Sequence, residues 1–547
     1  MKSPFNVIDL FAGAGGLSLG FSQTKKCKII AAFEKNENAQ ETYKKNNPET
    51  KLFSDVRDLT PALIEKNFPN TTVDIIIGGP PCQGFSNANR QHNTAINQNN
   101  LLVKEYIRSI IELSPKAFVM ENVGMLKSDV HKFYKTKNDS EIISKYNIDT
   151  KPDNIFLLAE KYKFKGIENI ITNLNVIDKY LWPDEQYHVL NVLFKERNNV
   201  EKAKKAALKY LLNLKKFTES HQFLEDNAIC KINLDCINAA NSYISTEIDL
   251  ETFIKKIERP LKIQQMLKTS KEILDNNIEV TEYNIEHDIL VKTISFPVFE
   301  YLTKILGSEI NGYNIKSGIL TASDYGVPQI RRRFVVMGIK KTISNDISLP
   351  PKAFDHFYTV HDAISDIENV QTTTEVSECG VTLEKVSKKE LNPLAAKLRN
   401  SKKLYNHIIT ATRPNAQERF NRIKQGENFH SLSDEYKTNT YTNVERTQNT
   451  VYLRLKYSEP SGTVINVRKS MWIHPTLNRA VSVREAARLQ SFPDSFIFCG
   501  TKDSQYQQVG NAVPPMMAEA IARQLLKYLD ISFNKSETSV APQQYPR

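Results

Sequence analysis

One cysteine and one glutamate stand where this chain could do covalent chemistry. Cys82 lies in Gly79-Pro80-Pro81-Cys82-Gln83-Gly84, directly after the apolar run Val73, Ile75, Ile76, Ile77, which predicts a buried strand. A thiol just past the C-terminal end of a strand in an open α/β sheet sits at the edge where ligands bind. The two prolines fix the backbone beside it, and Gly79 and Gly84 permit close approach. A cysteine is more often a small core residue, but the polar, rigid, sheet-edge setting favours a nucleophile. Glu121 follows a second apolar strand, Ala117 to Met120, and precedes Asn122-Val123. In a parallel sheet its end would lie beside the end that carries Cys82, so a thiol and a carboxylic acid would share one cleft. Partial burial there favours the protonated acid. Arg331, Arg332 and Arg333 lead into a further strand, residues 334–338. They suit a solvated basic edge, or, near a nucleophile, the binding of phosphate or a carbonyl oxygen.

The elements that must position this chemistry begin at the N-terminus. Phe5 to Leu10 reads as a strand, Phe11-Ala12-Gly13-Ala14-Gly15-Gly16 as a tight glycine turn, and Leu17 to Phe21 as the opening of a helix. Strand, glycine loop and helix in that order form a nucleotide-binding arrangement. Gly13, Gly15 and Gly16 depart from the dinucleotide fingerprint, and the loop has no lysine to grip a triphosphate. Asp9 ends the first strand. Glu34, which ends a second strand (Ile29 to Phe33), is placed to hold ribose hydroxyls, and Asp55 to approach an adenine amine or ring. Each alone reads as a solvated strand end; together they favour a nucleoside ligand without a phosphate chain.

Composition sets the frame. The chain has 547 residues, 40% apolar and 25% charged, the profile of a soluble globular protein with two to four domains. No stretch approaches a membrane span, and the chain enters a strand at Phe5, leaving no room for a signal peptide. The six cysteines (27, 82, 230, 236, 379, 499) show no C-x-x-C pair and no zinc spacing, so reduced thiols, a cytoplasmic location and no metal are expected. The net charge of +11 suggests a polyanion partner, although lysine- and asparagine-rich coding bias alone produces such a balance.

Six segments, in this order, resemble the cytosine-C5 DNA methyltransferases, especially the bacterial restriction–modification type. They are Asp9-Leu10-Phe11-Ala12-Gly13-Ala14-Gly15-Gly16, Gly79 to Ser86, Glu121-Asn122-Val123, Gln329 to Arg333, Arg484 to Asp494, and Gln508 to Pro515. The resemblance implies an α/β, Rossmann-like, S-adenosylmethionine-dependent methyltransferase domain. It implies that the Cys82 thiolate adds to C6 of a flipped-out cytosine while Glu121 hydrogen-bonds the ring. Arg333 would contact the cytosine carbonyl or a phosphate, with Arg331 in support. The cofactor would rest on Asp9, Phe11, Gly13, Gly15, Gly16, Glu34, Asp55, Pro80 and Asn511, with Phe11 stacking on adenine. Lys35 stands where the family often has an aromatic wall. The polar stretch after Cys82, including Gln83, Ser86, Asn87 and Arg90, reads as a loop that closes over duplex DNA. A monomer, with a cognate restriction nuclease encoded nearby, completes the expectation.

By this reading the catalytic domain occupies residues 1–127, 296–344 and 460–530. Residues 345–459 form a smaller, irregular or β-rich target recognition domain, and 531–547 a disordered tail. Residues 128–295 read as a helical insertion. Asn199 caps a helix with Ala203, Ala207, Leu211 and Leu214 on one stripe, and Pro260 starts another carrying Ile263, Met266, Leu267 and Ile273. The insertion is either a solvated decoration or a lobe contacting flanking DNA or a partner protein. Three other functions compete: a tRNA methylase of the same fold, a catalytically silent regulator, and an ordinary Rossmann oxidoreductase. Intact Cys82, Glu121 and Arg333 count against the second, and the C-terminal motifs against the third.

Overall fold

The computed structural model describes residues 3–81, 98–124, 131–219, 227–437 and 447–529. They fall into two compact units. The first takes the described part of 1–82, 99–128 and 302–547; the second takes that of 83–98 and 129–301.

In chain order, the first unit opens with β1 (Phe5–Leu10), β2 (Cys27–Phe33), β3 (Lys51–Phe53), β4 (Ile75–Gly78) and β5 (Ala117–Asn122). The second unit carries β6 (Lys132–Tyr134), β7 (Lys151–Leu158), β8 (Val280–Asn284) and β9 (Ile289–Pro297). Then β10 (Tyr313–Thr321) and β11 (Arg332–Lys340) return to the first.

The first unit is built on a seven-stranded sheet ordered β10-β11-β5-β4-β1-β2-β3. The pairs β1/β2, β2/β3, β1/β4 and β4/β5 are parallel, whereas β11 runs antiparallel to both β5 and β10. The central strands are apolar on both faces, with Val7, Ile8, Ile75, Ile76, Ile77, Phe118 and Val119 wholly buried, as a covered parallel sheet requires. Chain order reverses at β1, which has β2 on one side and β4 on the other. A ligand cleft in such a sheet opens at that switch point, beyond the strands' carboxyl ends.

The helix Gly16–Gln23 follows the glycine loop and packs on the C-terminal helix Pro515–Leu529. The contact depends on missing side chains. A Cβ on Gly16 would stand 2.2 Å from the Val513 carbonyl oxygen, and one on Gly20 would stand 2.4 Å from Ala518 Cβ and 2.6 Å from Glu519 N and Pro515 O. The far end of the chain thus backs the loop at its beginning.

The second unit adds strands to the helices expected of the insertion. Its helices are joined by an antiparallel sheet in which β9 pairs with β6, β7 and β8. In β9 the buried positions Ile289, Val291, Thr293 and Ser295 alternate with less buried ones. Threonine and serine at core positions dilute that two-residue period, which is why a pattern of apolar residues misses it. Asn199 does cap a helix, accepting from Lys202 N at 3.0 Å, but the helix stops at Lys209 and a second one starts at Leu211. Pro260 begins nothing. It lies inside the helix Leu250–Asp275, whose cap is Asp249, accepting from Thr252 N at 2.8 Å. Burial of Phe253, Ile254 and Ile257 upstream carries the helix through the missing amide.

Residues 345–459 hold short helices and loops. Their named strands, Val381–Thr382 and Lys403–Leu404, are two residues each, so among the described residues the segment is irregular rather than β-rich. Ile364, Ile367, Leu394 and Leu398 belong to the same apolar cluster as Val7, Ile75 and Val335, so the segment shares the sheet's core.

Candidate active site

The glycine loop leaves β1 through two backbone conformations that sequence alone signals poorly. Gly13 and Gly15 have φ of 55° and 93°, and Phe11, a bulky side chain, also has positive φ at 58°. A left-handed phenylalanine is held by its surroundings at a cost, and such strain clusters where ligands bind. The Ala12 amide donates to Phe33 O at 3.0 Å, tying the loop to the end of β2. There Glu34 Oε2 accepts from the Gly13 amide at 2.8 Å and Oε1 from the Asn36 amide at 2.7 Å. Each carboxylate oxygen keeps a lone pair for a further donor such as a ribose hydroxyl.

Asp9 is wholly buried. The Ser18 hydroxyl donates to its Oδ2 at 2.6 Å and lies 2.6 Å from the Tyr43 hydroxyl. Desolvation pushes the Asp9 pKa up to about 7, the Ser18 hydrogen bond opposing and the Glu34 charge adding. Asp55 caps the short turn Val56–Asp58, accepting from Arg57 N at 3.0 Å, and Lys35 Nζ stands 4.0 Å from it. Phe33 and Phe53 stack at 4.9 Å between these two strand ends. Lys35 therefore contributes an ion pair at this edge, where the resemblance led us to look for a ring.

Across the switch point, β4 and β5 run in parallel register with Gly78 opposite Met120. That register brings Gly79 and Pro80 beside Glu121 and Asn122. Asn122 Nδ2 donates to Pro80 O at 3.1 Å, and a Cβ on Gly79 would lie 3.2 Å from Glu121 Oε2. Glu121 is 9% exposed, and its Oε1 lies 2.8 Å from Arg333 Nε. The register explains the pair. Glu121 faces Val335 across β5/β11, and Arg333, two residues earlier, projects on the same face as its diagonal neighbour. The sequence reading weighed burial alone for Glu121; the structure adds a guanidinium.

Arg331 plays a different part. It is 1% exposed, and its Nη1 donates to Val464 O at 3.0 Å. Burial pushes its pKa well down, the like charge of Arg333 adding and Glu121 opposing. Arg331 thus braces the floor beneath the Glu121–Arg333 pair. Gln329 does the same by donating to Leu489 O at 3.1 Å and Gln490 Oε1 at 2.9 Å, while its own oxygen accepts from Val464 N at 2.7 Å. Cys82, Gln83, Ser86, Asn87 and Arg90 lie outside the described residues.

The C-terminal motif carries residues whose roles sequence reasoning left unassigned. Arg484, Glu485 and Arg488 are all wholly buried. Glu485 accepts from Arg479 at 2.6 and 2.9 Å and from the Ser482 amide at 2.7 Å, and these partners hold its carboxyl far below the usual range despite burial. Arg488 bonds Asp494 at 2.6 and 2.8 Å and reaches Asp366 at 2.5 Å. Arg484 donates to Tyr405 O and Pro493 O, both at 2.8 Å. These charges cross-link residues 366–406 to 479–494 and sit in the framework, not at the cleft. The capping-box spacing Ser482…Glu485 was the available signal. Asn511 ends the helix Lys502–Asn511, is exposed, and accepts from Gln507 Nε2 at 2.8 Å.

The edge fits a nucleoside-type ligand. Among the described residues nothing lies within 4 Å of where a Gly13 side chain would be, and that position adjoins a carboxylate with spare acceptor capacity. Asp9 Oδ1 has no hydrogen-bond partner among the described residues.

Comparison with known proteins identifies the family and the fold. The profile of the C-5 cytosine-specific DNA methylase family matches residues 5–151 and 299–527. A type II methyltransferase, M.DdeI of Desulfomicrobium norvegicum, is 26% identical over 96% of this chain and 89% of its own length. The type II methyltransferase M1.HphI of Haemophilus parahaemolyticus is 24% identical over 95% and 86%. Among solved structures, a prophage-encoded DNA modification methyltransferase of E. coli superposes with a TM-score of 0.53 at 22% identity, covering 96% of this chain and 99% of that one, and supports the Rossmann-like fold. The chain belongs to the C-5 cytosine-specific DNA methylase family.

Proposed function

We propose that this protein is a type II DNA (cytosine-5-)-methyltransferase acting in the cytoplasm on one sequence of duplex DNA, and that it protects host DNA from a cognate nuclease. The observation that supports this most directly is the meeting, at one sheet edge, of the strained glycine loop with Glu34 and of the Gly79–Pro80 turn with the Glu121–Arg333 pair. S-adenosylmethionine, when bound, supplies an electrophilic methyl group; Phe11, Gly13, Gly15, Gly16, Glu34, Asp55, Pro80, Asn511 and Asp9 are the residues to hold it.

Cytosine C5 is a weak nucleophile, so the protein must first raise its electron density. The Cys82 thiolate adds to C6 and forms a covalent adduct. Glu121 hydrogen-bonds the ring at N3 and the exocyclic amine, making C6 more electrophilic. Arg333 orients Glu121 and offers its remaining donors to the base carbonyl or a phosphate. Once C5 has taken the methyl group, loss of the C5 proton to a base lets the cysteine leave from C6 and restores the ring. The target base must leave the duplex stack, at a cost of a few kcal/mol. The polar segment after Cys82, with Gln83, Ser86, Asn87 and Arg90, closes over the gap, and residues 345–459 read the sequence.

The insertion's share in DNA binding is small on this reading. Residues 128–295 hold 25 Lys and Arg against 26 Asp and Glu, so the chain's net +11 resides elsewhere.

Methyl transfer to duplex DNA and to tRNA, followed by bisulfite sequencing, tests the assignment. Product in DNA, lost in Cys82→Ala, and a covalent adduct with a 5-fluorocytosine duplex are expected. Product in tRNA only, or undiminished transfer by Cys82→Ala, overturns it.

A further inference from the structure

Asp9 is a buried acid that the proposed mechanism places at the cofactor but gives no part in proton transfer. It is the penultimate residue of β1, just ahead of the glycine loop, and both Ser18 and Tyr43 are likewise wholly buried. The contacts form a chain: Asp9 Oδ2 to Ser18 Oγ at 2.6 Å, then Ser18 Oγ to the Tyr43 hydroxyl at 2.6 Å. Tyr43 also props the loop, since a Cβ on Gly15 would stand 3.0 Å from its ring. The chain thus links the end of β1, the helix after the loop and the helix after Glu34.

One end of this chain is unfinished, because Asp9 Oδ1 is buried with no hydrogen-bond partner among the described residues. Among the described residues, the charged or titratable groups that act on Asp9 are Glu34 beyond β2, Tyr43 and, from the helix Gln98–Leu113, Tyr106, none of them a cation. The donors that reach the carboxyl both belong to Ser18, its hydroxyl and its backbone amide, and desolvation outweighs them, so the group holds its proton more tightly than an ordinary carboxylic acid. A positive charge arriving at the loop removes that reason.

We propose that Asp9 is a charge sensor for the cofactor: the neutral acid fills the empty site, and binding of a sulfonium ligand expels its proton, the Ser18–Tyr43 chain holding the resulting carboxylate. This rests on the S-adenosylmethionine reading above and extends it. The methyl donor carries one positive charge more than its demethylated thioether. The sensor therefore favours donor over spent product, with a discrimination that increases with pH. Desolvation places the Asp9 pKa at about 7, so the discrimination is tuned near neutrality.

Isothermal titration of the full chain with S-adenosylmethionine at pH 7, in two buffers of different ionisation enthalpy, counts the protons. Proton release on donor binding is expected, diminishing as the pH of the titration is raised, because the raised Asp9 pKa leaves the ligand-free carboxyl partly protonated near neutrality. Much less release is expected with S-adenosylhomocysteine. Donor affinity should rise with pH below 7, by a factor approaching ten per unit. In Asp9→Asn the donor binds more weakly and the Asp9 share of the release vanishes, while any from the ligand's own ammonium persists. Tyr43→Phe keeps the release, since the carboxyl is still there. Identical heats in both buffers for the wild type, or undiminished release in Asp9→Asn, overturn the sensor even if the donor binds well. No binding in any buffer overturns the cofactor reading instead. Should Asp9→Asn fail to fold, the wild-type buffer pair and the pH dependence of affinity decide alone.

Discussion

Replacing Gly20 by alanine sets helix propensity against packing, and the structure says which wins. In an isolated helix the change would stabilise by about 1 kcal/mol. Here the new methyl would stand 2.4 Å from Ala518 Cβ and 2.6 Å from two backbone atoms of the C-terminal helix, Glu519 N and Pro515 O. A flexible side chain could yield; a packed backbone must move, so the helices Gly16–Gln23 and Pro515–Leu529 must part. Overpacking of this kind costs 1–3 kcal/mol, occasionally more. With three hard contacts, the upper part of that range applies, leaving a net loss of about 2 kcal/mol after the propensity gain, or roughly thirtyfold in the folding equilibrium. Urea unfolding read from Trp472, which lies in the sheet's core cluster, measures it in a Trp182→Phe background that silences the other unit. Gly13→Ala is the comparison. Among the described residues it meets nothing within 4 Å but has a φ of 55°, so it costs left-handed strain of about 1 kcal/mol. A neutral or stabilising Gly20→Ala, or one milder than Gly13→Ala, refutes the packing argument.

Glu485→Gln leaves Arg479 and its buried surroundings without a counter-charge and should cost about 3–5 kcal/mol in the same assay, a loss below 1 kcal/mol contradicting the framework role. Asp9 gives a pH dependence of known sign. Its folded pKa of about 7 lies above its unfolded value of about 3.9, so its contribution is fully present below pH 4 and is lost as pH rises through 7. In the ligand-free chain, Asp9→Asn should therefore gain on the wild type between pH 4.5 and 8, by up to about 4 kcal/mol, and a constant difference would disprove the buried acid. Arg333→Gln removes the guanidinium from Glu121 and should slow methyl transfer roughly a hundredfold while leaving donor affinity within about twofold; an equal loss in both would mean a folding defect.

Much of the site was legible because strand ends and glycine turns are local events. The apolar runs 75–77 and 117–120 and the loop 11–16 needed only the nearest residues to be interpreted, and the structure has them as neighbours in one parallel sheet. The Glu121–Arg333 pair was hidden because it depends on an antiparallel register between strands two hundred residues apart. Tyr43 was hidden for a similar reason: on its own helix it is one more aromatic, and only the approach of Gly15 and Ser18 gives it a task. The helix through Pro260 shows tertiary burial overriding a strong local breaker, and β9 shows hydroxyl side chains in a core masking a strand.

The pairing of Gly16 and Gly20 with residues 513–519 has a consequence for biosynthesis. A ribosome adding 5–20 residues per second needs roughly 25 to 100 s to travel from one to the other. During that interval the nascent polypeptide already holds the cysteine and glutamate, while the helix Gly16–Gln23 has no partner for its glycine face. An unfinished chain lacks the brace for its glycine loop, so enzymatic competence arrives only when the last helix docks.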